Sequence, residues 1–161
     1  MNIGEEDFVA RYGGVYEHSE WVAKEAFAME SHEPDSLQKV MRGIIENAGH
    51  EAQLTLLCAH PDLAGKLAKS GALTNESTSE QASAGLDQCT SEEFEAFTTL
   101  NETYKARFGF PYILAVRGRH RTEILANFRS RVDNPPKTEF REALDQVHQI
   151  AALRLNALFS E

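Results

Sequence analysis

The sequence predicts an all-α fold, a single-domain helical bundle of about seven to nine helices spanning residues 1–161. Three observations carry this expectation. Apolar residues recur at helical spacing nearly throughout, alternating patterns of the β type are short and scarce, and glycines and prolines punctuate the chain between periodic stretches. With 42% hydrophobic content in 161 residues, the chain can bury one proper core and is too short for two ordinary domains.

Taken in order, Gly13 and Gly14 break the first segment, and Ser19 stands ready to cap a helix that runs to about Met29 through Trp21, Val22 and Phe27. Asp35 or Ser36 opens the next helix. Its broad apolar face carries Leu37, Val40, Met41, Ile44 and Ile45, and Gly49 stops it. From Glu51 the run AQLTLLCA continues helical until His60, where Pro61 disfavours the α conformation of its predecessor and redirects the chain. The polar stretch TNESTS reads as a loop leading into a short helix over EQASAGL. Thr90 and Glu93 have the spacing of a capping box for a long helix to about Phe108, closed by Gly109.

FGFPYILAVRG breaks the helical rhythm. Pro111 precedes an unbroken apolar run and then Arg-Gly, the pattern of a buried extended segment. A helix around Thr122 to Val132, the linker DNPPK and a last helix from about Glu139 to Phe159 complete the chain.

The charge balance, 25 acidic against 16 basic residues and a net charge of -9, disfavours a nucleic-acid partner, because a general negative field repels polyanions. No stretch has the apolar length of a membrane span, and MNIGEEDF lacks the form of a signal peptide, so a soluble, cytoplasmic protein is expected. Cys58 and Cys89 show no zinc or redox spacing and read as reduced packing residues. His18, His32, His50, His60, His120 and His148 show no paired ligand spacing, so no metal site is expected.

A few side chains resist a purely structural reading. The stripe of the last helix runs Phe140, Leu144, Val147, Ala151 and Leu158, and the position that continues it between Ala151 and Leu158 is Arg154. A buried guanidinium needs a protein carboxylate or an anionic ligand, whereas an arginine at the edge of the seam would lay its stem on apolar surface and reach water. His60 is either a helix-end histidine favoured by the dipole or a general acid or base. Ser77 and Glu80 have capping-box spacing, which would occupy both with their own backbone, and a binding role would require them to face elsewhere. The run RGRHR at 117–121 is a dense positive cluster that reads as a solvated turn or an anion attractor.

Five strings, GGVYEHSEWVA at 13–23, HPDLAGK at 60–66, STSEQASAGL at 77–86, NETYKARFGFPYILAV at 101–116 and EALDQVHQIAALRL at 142–155, together resemble the 2-oxo-4-hydroxy-4-carboxy-5-ureidoimidazoline (OHCU) decarboxylase family. The resemblance covers almost the whole chain. Glu20 stands where the family usually shows proline. The resemblance implies an all-helical, usually dimeric enzyme that needs no cofactor and converts a ureidoimidazoline to (S)-allantoin in urate and purine degradation. Carried over motif by motif, it implies catalytic roles for His60, Glu80 and Arg154. It also implies substrate contacts from Pro61, from Ser77, Thr78, Ser79, Glu80 and Gln81, from Tyr112, Ile113, Leu114, Ala115 and Val116, and from Arg154. Two other readings compete: a helical interaction module with a degenerate site, and a metal-dependent hydrolase built from scattered His and Glu.

Overall fold

The computed structural model describes residues 4–29, 33–64 and 73–160. Among these residues there are eight α helices, one 3-10 turn and no strand, as the periodicity predicts. His32, and Gly65 and Lys66 of the HPDLAGK string, lie outside the described residues. The chain divides into two compact units, one formed by residues 1–59 and 147–161, the other by 60–146.

In the first unit, α1 (Glu5–Tyr12) opens with Glu5, Glu6 and Asp7 at the positive end of the helix dipole and buries Phe8 and Tyr12. Phe8 packs against both Tyr12 and Phe27, the latter from α2 (Glu20–Ala28). Ser19 occupies the cap position of α2, but its hydroxyl donates to the Glu17 carbonyl at 2.9 Å and leaves the helix without a side-chain cap. The third helix, α3 (Pro34–Asn47), starts slightly earlier than Asp35 because proline is well suited to the first helical position, where its missing N–H is not needed. Leu37, Met41 and Ile45 form its buried face.

Gly49, at φ +94°, separates α3 from α4 (His50–Cys58) in a backbone region that L side chains rarely enter. Gln53 then donates back to the Ile45 carbonyl at 3.0 Å, which satisfies part of the open end of α3.

The second unit holds α5 (Asn75–Ser83), the 3-10 turn Leu86–Gln88, α6 (Ser91–Phe108) and α7 (Arg121–Arg131). The helix α8 (Pro136–Phe159) contributes residues 136–146 to this unit and the remainder to the first. The Thr90–Glu93 capping box forms as expected, with Glu93 N–H to Thr90 at 3.1 Å and Thr90 N–H to Glu93 at 2.9 Å, and Gly109 closes α6 at φ +80°. Pro136 and Lys137 of the expected linker belong to the first turn of α8, again because proline suits a helix start.

Tyr104, fully buried, meets Phe108, Phe110, Tyr112 and Phe128, and Tyr112 stacks on Phe128 with ring centres 3.8 Å apart. Beside this cluster the buried Arg131 and Glu139 form an ion pair at 2.9 Å, and the Tyr104 hydroxyl donates to Glu139. Burial, reinforced by that carboxylate, pushes the Tyr104 phenol well above its ordinary range, so it remains a neutral donor.

Candidate functional site

His60 follows α4 in sequence and is almost fully buried. The backbone just beyond it is held by side chains from α5 and α6. Gln81 accepts from the Ala64 N–H at 3.0 Å and donates to the Asp62 carbonyl at 3.4 Å, and Asn101 donates to the Leu63 carbonyl at 3.0 Å. Lys105 pairs with Asp62 at 2.8 Å. Ala64 sits at φ +53°, a left-handed conformation unfavourable for a residue with a Cβ, and the Gln81 bond to its N–H helps to hold it there. The Asn101 Oδ1 is buried and has no partner among the described residues, a point no sequence pattern signals.

The start of α5 corrects the sequence reading. Thr74 is the cap, accepting from the Ser77 N–H at 3.1 Å, and Thr78 folds its hydroxyl back on the Thr74 carbonyl at 2.8 Å. NESTS is therefore helical and Ser77 lies inside the helix, so Ser77 and Glu80 do not form a capping box. Four residues apart, Ser77 and Gln81 share the buried face. Glu80 is half-buried beside them, while Thr78 and Ser79 are exposed.

The segment 111–116 is neither helix nor turn, and Tyr112 to Val116 are all buried. The Arg131 guanidinium donates to the Ile113 carbonyl at 2.5 Å and lies 4.7 Å from the centre of the Tyr112 ring. Burial alone would pull the Arg131 proton affinity down, but its bonds to Glu139 outweigh this and keep it raised. Gln146, from α8, accepts from the Ala115 N–H at 2.9 Å. Burial also raises the pKa of the Tyr112 phenol, which donates to Asn127 at 2.5 Å.

Arg154 belongs to the first unit and is buried, which decides between the two readings its spacing left open. The required carboxylate is Glu17, at 2.8 Å and itself buried, and a second guanidinium nitrogen donates to the Gly14 carbonyl at 2.9 Å. The snorkelling alternative is excluded. Within the same unit His148, also buried, bridges the Tyr16 hydroxyl at 2.8 Å and Glu46 at 3.1 Å, and burial raises the Tyr16 pKa. Neither Glu17 nor this His148 group was legible in the spacing of the sequence.

RGRHR forms a turn at Arg117–Gly118, with Gly118 at φ +84°. Arg121 is committed to Glu93 at 2.8 Å, and His120 accepts from the Thr122 N–H at 3.3 Å, capping α7. Cys58 is exposed rather than a packing residue, Cys89 is half-buried, and neither cysteine is in a disulfide. Among the described residues no group of three metal-ligating side chains occurs, and no helix is long and apolar enough to cross a membrane.

Residues 2–156 match the family described as OHCU decarboxylase. The chain is similar to a protein of Haloferax volcanii named 2-oxo-4-hydroxy-4-carboxy-5-ureidoimidazoline decarboxylase, with 44% identity over 98% of this chain and 92% of the relative. A protein of the same name from Halalkalicoccus jeotgali shares 43% identity over 95% of this chain and 85% of its own. A crystal structure of (S)-allantoin synthase superposes with a TM-score of 0.74 at 35% identity, covering 97% of this chain and 51% of the other.

Proposed function

This chain belongs to the OHCU decarboxylase family, and on that premise we propose that it converts OHCU to (S)-allantoin and carbon dioxide in urate degradation. The observation that carries the proposal is the relationship to a protein named for that reaction along nearly the full length of both chains. Residues 1–161 act as one functional domain in this proposal.

The chemistry explains what the protein must supply. In OHCU the carboxylate and a hydroxyl share one ring carbon, and the neighbouring carbon, which bears the ureido group, is double-bonded to a ring nitrogen. When the bond to the carboxylate breaks, its electron pair forms a new carbon–carbon double bond, and the C=N pair moves onto nitrogen, which takes a proton. The resulting enol then loses its hydroxyl proton as the carbonyl of allantoin forms, and a proton is delivered to one face of the ureido-bearing carbon. The substrate is its own electron sink, so the proposed reaction is cofactor-independent and needs no metal.

His60 serves as the general acid or base at the hydroxyl-bearing carbon, Glu80 orients it or holds the hydroxyl and ureido donors, and Arg154 engages an anionic or carbonyl oxygen of the substrate. Ser77 and Gln81 fix polar groups of the ring, beside Pro61, Thr78 and Ser79. The backbone from Tyr112 to Val116 meets the flat ring. Support for these roles comes from the family motifs and from two features within the second unit: the near-complete burial of His60, and the anchoring of the chain just beyond it by Gln81. A homodimer and a cytoplasmic location complete the proposal, supported by the family resemblance.

The test follows the optical activity of allantoin by circular dichroism, starting from urate with urate oxidase and the hydrolase of the preceding step. The expected result is an (S)-allantoin signal that develops faster than spontaneous decay and persists in a metal chelator. Racemic product at the uncatalysed rate would overturn the proposal.

A further inference from the structure

Gln146 lies on the buried side of α8, a helix that also buries Glu139, His148 and Arg154. It is 5% exposed, and both ends of its amide are used. Its nitrogen donates to Glu142 at 2.9 Å, one helical turn earlier, and this orients the oxygen toward the Ala115 N–H, also at 2.9 Å. Two residues before, the Ile113 carbonyl is taken by Arg131. Side chains of α7 and α8 thus occupy backbone groups of residues 113 and 115, and skip the residue between.

That skip has a geometric meaning. In an extended chain the N–H and C=O of one residue lie on the same edge, and successive residues present alternate edges. The segment is non-helical, and along an extended run the groups of Ile113 and Ala115 used by Arg131 and Gln146 share one edge, with Leu114 facing the other. Leu114 is 3% exposed, yet among the described residues neither its N–H nor its C=O has a hydrogen-bond partner. A buried backbone pair is normally satisfied, and leaving both groups unmet is unfavourable unless a ligand or water meets them. A planar ring offering an N–H beside a C=O, as the ureide ring of OHCU does, complements such an edge.

We propose that Gln146 is a positioning residue for the reaction: with Arg131 it clamps one edge of the 113–115 backbone and thereby presents the Leu114 edge to the substrate ring. This rests on the proposed decarboxylation and on the 112–116 segment as a lining of its site. Gln146 touches no substrate. It acts by setting the angle at which the ring is held, and therefore the face that receives the proton.

The experiment compares wild type, Gln146→Leu, Glu142→Ala and the double variant Gln146→Glu with Glu142→Gln, which rebuilds the pair with donor and acceptor exchanged. Each is assayed on freshly generated OHCU for kcat, KM and the enantiomeric purity of allantoin, at enzyme concentrations where spontaneous decay is negligible. Gln146→Leu is expected to raise KM about tenfold and lower enantiomeric purity, with kcat changed less than about threefold. Glu142→Ala loses only the brace and is expected to raise KM about threefold, a reading that stands even if Gln146→Leu does not fold. The exchanged pair should return KM to within about twofold of wild type.

A structural role alone would instead lower the active fraction, leaving KM and enantiomeric purity as in wild type; that outcome in Gln146→Leu, or in Glu142→Ala where the former does not fold, overturns the inference. Absence of turnover by wild type would be a different failure, that of the decarboxylase proposal itself.

Discussion

Glu17 and Arg154 are ion-pair partners: their charged atoms lie 2.8 Å apart, and their side chains are 1% and 6% exposed. Two charges at such a depth are held in the folded chain by each other and by the Gly14 carbonyl that accepts from the guanidinium. Glu17→Ala leaves the guanidinium buried without its carboxylate and should destabilise the protein by about 3–5 kcal/mol. Glu17→Gln retains an acceptor and should be milder. Chemical denaturation of both variants checks the order, and equal stability of wild type and Glu17→Ala would contradict it.

His60→Gln preserves a planar polar side chain but removes the imidazole. If His60 is the general acid or base, turnover of OHCU should fall by roughly a hundredfold to ten-thousandfold while the fold persists. Retention of near wild-type turnover, read from the optical signal of allantoin, would remove His60 from that role.

Thr74 and Ser77 should separate stability from binding. Thr74 caps α5, so Thr74→Ala is expected to lower stability by about 1 kcal/mol. Ser77 lies inside the helix on its buried face, and Ser77→Ala should act through KM for OHCU if its hydroxyl serves the substrate. Thermal melts together with steady-state kinetics distinguish the two outcomes, and a reversal of the pattern would restore Ser77 as the cap.

Glu93 makes stability depend on acid. The Thr90 backbone N–H, and after it the Arg121 guanidinium, hold its carboxyl below the usual glutamate value. A lowered folded-state pKa means that the contribution is fully present above the unfolded value, and is lost as pH falls through that value toward the lower folded one. The stability difference between wild type and Glu93→Gln should therefore be present at neutral pH and shrink as the solution is acidified below about pH 4.3. Thermal midpoints measured across that range test it, and a difference that stayed constant into acid would refute the linkage.

Much of this architecture was legible because the relevant signals are local. Thr90 and Glu93 meet through a spacing of three residues, Gly109 closes α6 because its backbone needs no Cβ, and the apolar run after Pro111 lacks helical period. Where two local signals compete, the local pattern misleads. Thr74 and Ser77 can both cap a helix, and the polar composition of NESTS resembles a loop, so local signals alone put the start of α5 too late. The prolines of DNPPK suggested a linker although one of them opens α8.

The sequence by itself determined the helical class, the main breaks, the non-helical 111–116 segment, and the presence in the apolar stripe of an arginine, Arg154, whose burial would demand a counter-charge. Only the tertiary structure decided that Glu17, 137 residues away, answers that demand, and that Gln146 reaches Ala115 across a separation of 31 residues. Helical period and capping arise from covalent neighbours within a turn or two, so they are written in short strings. The partner of a buried charge or backbone group is chosen by whichever distant segments the packing brings within hydrogen-bond reach, and no spacing along the chain encodes that meeting.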